Sequence, residues 1–443
     1  MTKPSAPIAH RHRLRGEAAL MVLALAARMA IGLYLTHGSA APRYPDEQWY
    51  WRMAVSLRSG HGLVGEFGHR AERMPLYPAF LAVFADRDDH LMWARVAQWV
   101  IGAAGVYFVI RLGTMIANRS VGLWAGLIYA LDPALCGSAS LLLTETIFVV
   151  VMAVLWWACW PRRAVAADAG TRSKSPPGAG QIVRWATAPV AAVGAVMLRE
   201  SAVPMVTLLG VWLMVVGWRG RRVAVAAHGG VILMAVALAL TAWAWRNHVI
   251  LGRWVMLTTR GGISLYDGVR PGATGAGDLA DVKASPEVAG LSEVEWNAYF
   301  VQQSYEAIRR DPVRIVRLIP VKLARTWSPI PNAGDLQSPI IRVLFGIWYI
   351  PLGAMVLAGI WSIKGNWVTL SGLLIPAVCV SVIHSVYVGS LRYRVGAIPT
   401  LAILASLGLV MVISRWGKPA DDRAARRGGK RRPPPADPNN DPF

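Results

Sequence analysis

Two adjacent carboxylates, Asp46 and Glu47, follow the first hydrophobic segment of the chain, which covers about residues 17–36. Neighbouring residues on a helix project about 100° apart, so the two side chains cannot face the same point. A carboxylate at the mouth of a helical bundle can act as a general base on a nearby nucleophile, or it can bind an ion. It can also simply favour the start of a helix. The pair therefore predicts one functional carboxylate and one that is structural or solvated.

A second group consists of four arginines at the ends of later hydrophobic segments, on the side where the carboxylates are expected. They are Arg199, Arg246, Arg392 and Arg394. The planar fork of an arginine matches the oxygens of a phosphate group. Basic residues usually accumulate on the opposite, cytoplasmic side of a membrane protein. These arginines therefore need either a bound anion or a local carboxylate such as Glu200.

The composition places these residues in a membrane protein. Of the 443 residues, 55% are hydrophobic and 16% are charged, whereas soluble domains carry about 25% charged residues. Apolar runs of membrane-spanning length recur, which predicts an all-α polytopic fold. The net charge of +21 arises mostly in short loops and at the C-terminus, where orientation signals and membrane lipids account for it. A nucleic-acid partner is not indicated.

About ten membrane-spanning helices are predicted, with both chain ends cytoplasmic because the basic turns all fall on one side. The spans cover about 17–36, 91–110, 121–135, 141–160, 185–198, a sixth returning to residue 218, 223–245, 340–362, 367–388 and 396–414. Residues 1–16 are expected to be a cytoplasmic segment, 162–184 a flexible cytoplasmic loop, and 415–443 a disordered basic tail. Two large outer loops, 37–90 and 247–339, interrupt the single unit 17–414.

Both outer loops are expected to contain helices that lie along the membrane surface. Pro45 suits a helix start, and Ser292 and Glu295 match a capping box. Asp311 followed by Pro312 can begin a further helix. The Gly-rich residues 258–268 lack nucleotide-binding spacing, and a loop closing over a site and a plain turn are equally open. The histidines and cysteines lack metal-ligand spacing, so no metal site is predicted.

Several motifs, in chain order, resemble those of the GT-C glycosyltransferases, in the bacterial branch similar to protein O-mannosyltransferases and the lipid A aminoarabinose transferase. They are Pro45-Asp46-Glu47 through Tyr50, Arg73-Met74-Pro75-Leu76-Tyr77-Pro78, Leu143-Thr144-Glu145-Thr146, Ala244-Trp245-Arg246-Asn247, and His384 to Arg394, ending Arg392-Tyr393-Arg394. Met74 replaces a proline of the family pattern. Trp245 adjoins Arg246, which departs from the family's spacing unless Trp243 is the counterpart. The resemblance covers about residues 17–414.

The resemblance implies transfer of a sugar from a polyprenyl-phosphate-linked donor to an acceptor hydroxyl, with inversion. It implies that Asp46 is the general base, and Glu47 becomes a secondary catalytic candidate. The four arginines become candidates for the donor phosphate. The other motif residues assigned to the substrate pocket are Arg73, Tyr77, Glu145, His384 and Tyr393. The site is expected to face the periplasm or exterior of the bacterial inner membrane.

Other functions remain open at this point. A transporter or lipid flippase would be favoured by intramembrane ionisable residues and internal repeats, and both are scarce in this sequence. A scaffold or sensor could use the long outer loop to bind a partner. The residues do not identify the sugar, nor whether the acceptor is a glycan, a lipid or a protein. No cofactor is certain, and a divalent metal is left open.

Overall fold

The computed structural model describes residues 6–37, 41–86, 90–161, 178–279, 286–332 and 338–416. All regular structure within these ranges is helical. The α-helices are α1 (Ala6–Thr36), α2 (Pro45–Arg58), α3 (Leu76–Ala82), α4 (Leu91–Ile116), α5 (Arg119–Leu131), α6 (Pro133–Ser138), α7 (Glu145–Cys159), α8 (Ala179–Leu198), α9 (Ala202–Arg219), α10 (Val223–Leu251), α11 (Gly261–Val269), α12 (Glu293–Arg310), α13 (Pro312–Trp327), α14 (Pro339–Ser362), α15 (Trp367–Val386) and α16 (Ile398–Trp416). A 3₁₀ helix, Leu391–Ala397, leads directly into α16.

The predicted all-α polytopic membrane fold is confirmed. Eight helical segments in the described residues are long and apolar enough to cross a membrane: Arg15–Thr36, α4, α8, α9, α10, α14, α15 and Leu391–Arg415. The two remaining predicted spans correspond to shorter helices, α5 and α7. Asp132 ends α5 and its side chain caps α6, with Pro133 in the first turn. The predicted span over residues 121–135 is therefore divided at Asp132 into two helices.

The helices pack closely around one large apolar core. Tyr129 of α5 and Trp156 of α7 are almost completely buried in it. Glycines allow the closest contacts. A Cβ atom at Gly359 of α14 would overlap the backbone of α16, and one at Gly408 would overlap the backbone of α14. Small residues of this kind let membrane helices approach backbone to backbone.

Two predicted boundaries were wrong. Helix α8 begins at Ala179, so residues 178–184 are not part of a flexible loop. Arg184, expected in that loop, is buried and donates to the carbonyl oxygens of Trp157 and Ala158. Helix α10 continues to Leu251 and ends where Gly252 adopts a left-handed conformation. Arg246 therefore lies inside the helix, because the chain offers no helix-breaking residue before Gly252.

The loop predictions were partly correct. Helix α2 begins at Pro45, and the Ser292–Glu295 capping box opens α12. Asp311 caps α13, as the sequence indicates. The Gly-rich segment 258–268 is neither a closing loop nor a plain turn, because most of it forms α11. Segment 1–16 is helical from Ala6 onward. Residues 162–177 of the predicted loop and 417–443 of the predicted tail lie outside the described residues.

The first loop (residues 37–90) and the long loop (residues 247–339) are fastened together by one carboxylate. Glu293, at the start of α12, accepts hydrogen bonds from the backbone N–H groups of Arg70 (2.5 Å) and Ala71 (2.8 Å) and from the Thr259 hydroxyl (2.6 Å). The Thr259 N–H in turn donates to the Ala71 carbonyl oxygen at 3.0 Å. The backbone just before Arg73 is therefore held by the long loop.

Replacing Glu293 by alanine should loosen this junction. The substitution leaves two backbone N–H groups and a hydroxyl without their partner, at a cost of roughly 2–4 kcal/mol. Limited trypsin digestion should cut Glu293→Ala faster than wild type within the long loop. Glu306→Ala, which removes exposed contacts with Arg310 and Gln302, is the matched control. Equal digestion rates for Glu293→Ala and wild type would contradict this role.

Candidate active site

Asp46 lies in the first turn of α2 and forms hydrogen-bonded ion pairs with two arginines. Its Oδ1 accepts a hydrogen bond from Arg73 Nη2 at 2.8 Å, and its Oδ2 accepts one from Arg392 Nη1 at 3.3 Å. The side chain remains 29% exposed. Burial tends to raise the pKa of Asp46, but Arg73, Arg392 and Arg260 outweigh it and hold the pKa well below its usual range. Asp46 is therefore an ionised, accessible carboxylate at neutral pH.

Glu47 faces the opposite way and is completely buried. Its Oε1 accepts hydrogen bonds from the N–H groups of Arg43 (3.0 Å) and Tyr44 (3.2 Å). Its Oε2 accepts from the Leu142 N–H (2.8 Å) and from Arg95 Nη2 (3.4 Å). With both oxygens engaged and no exposure to solvent, Glu47 anchors α2 to α4 and to the segment before α7. We interpret it as a structural carboxylate and not as a catalytic one.

Arg392 bridges two carboxylates from different parts of the fold. Besides Asp46 it contacts Glu145, donating from Nε to Oε1 at 2.9 Å. The same Glu145 oxygen lies 3.1 Å from Arg199 Nη1. Glu145 is the first residue of α7 and is 1% exposed, whereas the Arg392 side chain is 39% exposed. The result is a continuous row of alternating charges, Arg73–Asp46–Arg392–Glu145–Arg199, which we call the charge row.

Aromatic rings support both ends of the charge row. The Arg73 guanidinium lies 4.6 Å from the Tyr50 ring centre, and Tyr50 packs edge-to-face against Tyr77 at 4.9 Å. At the other end, the guanidinium carbons of Arg199 and Arg392 lie 5.9 and 5.7 Å from the Tyr393 ring centre. Guanidinium groups over aromatic faces are attracted by the negative charge of those faces. These rings therefore fix the directions of the arginines.

Tyr77 and His384 are both buried, and they pack against Tyr50 and Tyr393 respectively. The Tyr77 hydroxyl donates to Gln98 Oε1 at 2.8 Å. The His384 ring stacks on Tyr393 with ring centres 4.3 Å apart, and its Nδ1 is 2.8 Å from the Val388 carbonyl oxygen. Because a carbonyl oxygen only accepts, Nδ1 carries the proton. Tyr77 therefore positions Tyr50, and His384 positions Tyr393, and neither residue touches Asp46.

The four predicted phosphate-binding arginines separate into two pairs. Arg199 and Arg392 belong to the charge row. Arg394 is buried, donates to the Ser328 carbonyl oxygen at 2.7 Å and lies over Tyr349. A 3₁₀ helix has three residues per turn, so residues two apart project about 240° from one another. Arg392 and Arg394 therefore point to different sides.

Arg246 also lies outside the charge row. It donates from Nη1 to the Arg70 carbonyl oxygen at 2.6 Å and stacks on Trp243. It contacts the same short stretch of backbone that Glu293 holds. Arg246, a candidate for the donor phosphate, therefore contacts the first loop instead of Asp46 or Glu145, because α10 extends past it to Leu251. In this position Arg246 supports the first loop and does not contact the space beside Asp46.

Arg260 and Glu72 are part of the site and were not predicted. Arg260 Nη1 donates to Glu72 Oε1 at 2.7 Å, and Arg260 contributes to the lowered pKa of Asp46. Glu72 also accepts a hydrogen bond from the Glu66 N–H at 3.0 Å. The only local signal was the position of Glu72 directly before the Arg73 motif. Nothing in the pattern links Arg260 to a residue 188 positions earlier.

Among the described residues, no group of three His, Cys, Asp or Glu side chains is arranged to hold a metal ion. Asp46 and Glu145 are the two carboxylates that could share a cation. Arg392 already lies between them and donates to both. The position where a divalent ion would neutralise these groups is therefore taken by a guanidinium.

Comparison with known proteins finds a shared fold but no sequence relative. No family model matches the sequence, and no curated protein sequence matches it. The archaeal oligosaccharyltransferase AglB from Archaeoglobus fulgidus, in complex with an inhibitory peptide and a dolichol-phosphate, matches with a TM-score of 0.53 and 13% identity. The match covers 94% of this chain and 52% of that one. The A. fulgidus enzyme tethered to an acceptor peptide containing the NVT sequon matches with a TM-score of 0.53 and 13% identity, over 90% and 50% of the two chains.

These likenesses confirm that the chain has a GT-C type fold. The chain spans about half the length of the structures it matches. The identity is low, so the comparison concerns architecture and does not assign roles to individual residues. The predicted relation to a particular bacterial branch stays a prediction.

The different environments of Asp46 and Glu47 give a stability test. Glu47→Ala leaves the buried Arg95 without its carboxylate and three backbone N–H groups without their acceptor, which should destabilise the fold by about 3–5 kcal/mol. Asp46→Asn should be far milder, because Arg73 and Arg392 keep Tyr50 and Glu145 as partners. Three buried cysteines make a thiol-reactive dye a suitable reporter of thermal unfolding in detergent. A larger drop in Tm for Asp46→Asn than for Glu47→Ala would contradict the assignment.

Proposed function

We propose that this chain is a membrane glycosyltransferase that moves a sugar from a polyprenyl-phosphate-linked donor to an acceptor hydroxyl. The observation that carries the proposal is the charge row, in which the accessible Asp46 carboxylate stands beside the partly exposed guanidinium of Arg392 at one end of a GT-C bundle. A sugar–phosphate bond is broken by this combination of groups, a base for the incoming hydroxyl and cations for the departing phosphate.

Arg392 and Arg199 are proposed to bind the donor phosphate. Arg392 is the most exposed guanidinium of the charge row and holds Asp46 by the longer of the two Asp46 contacts, 3.3 Å. A phosphate oxygen can replace Asp46 as its partner while Glu145 keeps the guanidinium in place. Arg199 shares the Glu145 oxygen and the Tyr393 ring with Arg392. The dolichol-phosphate named in the neighbour's complex is consistent with a donor of this class.

The reaction follows from these positions. When a phosphate engages Arg392, Asp46 loses one of its two cations and becomes more basic. Asp46 then accepts the proton of the acceptor hydroxyl while that oxygen bonds to the anomeric carbon. The bond between the anomeric carbon and the phosphate oxygen breaks, and its electron pair leaves with polyprenyl phosphate. Arg392 and Arg199 stabilise the added negative charge, and attack opposite the leaving group inverts the anomeric centre.

The membrane bundle has a direct role in this scheme. The apolar helices that surround the charge row would accommodate the polyprenyl tail, while the phosphate remains at the end of the bundle. We propose that this end faces the periplasm or exterior of the inner membrane, in line with the basic turns predicted on the other side. The acceptor approaches from the aqueous side, between the first loop and the long loop.

Asp46→Asn should reduce the transfer rate by about 10²–10⁴-fold, the usual contribution of a general base. Asn keeps the shape of the side chain but cannot take the proton. Transfer should be measured with purified enzyme in detergent at saturating donor, with thermal unfolding recorded on the same sample. A correctly folded Asp46→Asn enzyme with turnover close to wild type would show that Asp46 is not the base.

Arg392→Lys should lower kcat by roughly 10²–10³-fold, because a point charge cannot hold Glu145 and a phosphate in the fixed fork of a guanidinium. Arg394→Lys is the matched control, since Arg394 belongs to the same 3₁₀ helix but faces Ser328 and Tyr349. It should keep transfer within about tenfold of wild type, a loss of at most about 1.4 kcal/mol. Equal losses for the two variants would place the phosphate elsewhere.

A further inference from the structure

A cavity lined by residues outside the charge row takes no part in the chemistry proposed above. It has a volume of about 690 Å³ and is bounded by the first loop, the end of α10 and the long loop. This size falls within the range of roughly 300–1,000 Å³ that is typical of small-ligand sites. Its lining is mostly polar, with aromatic rings on the wall. The residues important here are Phe67, His69, Arg70, Glu293 and Trp296.

Phe67 is held at the edge of this cavity in an unfavourable backbone conformation. Its φ is 58°, in the left-handed region that a bulky side chain rarely adopts. Its ring is 64% exposed and contacts the His69 ring with centres 5.9 Å apart. Burial therefore does not compensate for the strain. An exposed aromatic ring on a residue with a strained backbone is a candidate for contact with a ligand.

His69 supplies hydrogen-bonding capacity at the same wall. The residue is 7% exposed, and its ring packs edge-to-face on Trp296 at 5.3 Å. Its imidazole nitrogens have no hydrogen-bond partner among the described residues. Both nitrogens are reached by solvent, so they can hydrogen-bond a ligand that enters the cavity. The neighbouring Arg70 uses only one guanidinium nitrogen, on the His61 carbonyl oxygen at 3.3 Å.

We infer that this cavity binds a sugar ring of the acceptor, which would make the acceptor a glycan; the inference rests on the proposed function. A pyranose has an apolar C–H face that suits the Phe67 ring and hydroxyls around its edge that suit His69 and Arg70. A lipid tail would need an apolar lining instead. Glu293 borders the cavity and holds the backbone of Arg70 and Ala71. A bound glycan would therefore rest on the same loop that carries Arg73 to Asp46.

The test is saturation-transfer difference NMR on the full chain, with methyl glycosides of glucose, mannose, galactose and N-acetylglucosamine as probes. At least one should receive saturation from wild type. Phe67→Ala should weaken its binding about tenfold, or about 1.4 kcal/mol, and His69→Phe should weaken it similarly by removing the hydrogen bond. Phe67→Trp should retain binding. Tyr305→Ala is the matched control, because Tyr305 is 58% exposed on α12 and does not line the cavity.

Failure of this inference can be told apart from failure of the proposed function. If wild type releases sugar from the donor but binds none of the glycosides, or if Phe67→Ala binds them like wild type, the sugar site is overturned and the chemistry at Asp46 stands. If wild type binds a glycoside through Phe67 but never consumes donor, the proposed function is overturned. With a glycan acceptor, Phe67→Ala should raise the acceptor KM and leave kcat unchanged. An unchanged KM would also overturn the site.

Discussion

The interaction on which the site depends is the contact of one guanidinium with two carboxylates that come from distant parts of the chain. Arg392 joins Asp46, at the start of α2, to Glu145, at the start of α7. A charged group at the edge of an apolar bundle is costly unless it is paired. This requirement fixes where α2 can lie relative to the spans. It also explains why Arg199 and Arg392 oppose the usual distribution of positive charge: each contacts a carboxylate.

The Asp46-Glu47 dipeptide places the proposed base and a buried anchoring carboxylate in consecutive positions. Helical geometry turns Glu47 inward, where four donors surround it, and leaves Asp46 facing the opening. The anchoring is extended by Glu293, which fastens the long loop to the backbone before Arg73. The carboxylate of Asp46, the proposed base, is therefore held from two sides, by the bundle through Glu47 and by the long loop through Arg73. A rigid setting of this kind keeps charged groups in place before a substrate arrives.

Much of the architecture could be predicted from the sequence, because apolar length, basic turns and helix caps are local signals. Pro45, the Ser292–Glu295 capping box and Asp311 all mark observed helix starts. The meeting of Arg73, Asp46, Glu145 and Arg392 followed only from the order of the motifs. The orientations of Arg246 and Arg394 could not be predicted, because they depend on where α10 stops and on the three-residue turn of a 3₁₀ helix. The contact of Arg260 with Glu72 depends on how the long loop packs against the first loop.

The charge row also suggests how the proposed reaction would reset itself. Arg73, Arg199 and Arg392 outnumber Asp46 and Glu145 by one, so the centre carries one positive charge in excess. A phosphodiester donor, with its single negative charge, makes the occupied centre electrically neutral. After transfer the lipid phosphate carries close to two negative charges at pH 7, while Asp46 holds the acceptor's proton. Once that proton escapes to water, Asp46 competes with the spent carrier for Arg392. Proton loss would therefore expel the lipid product and return the centre to its starting state.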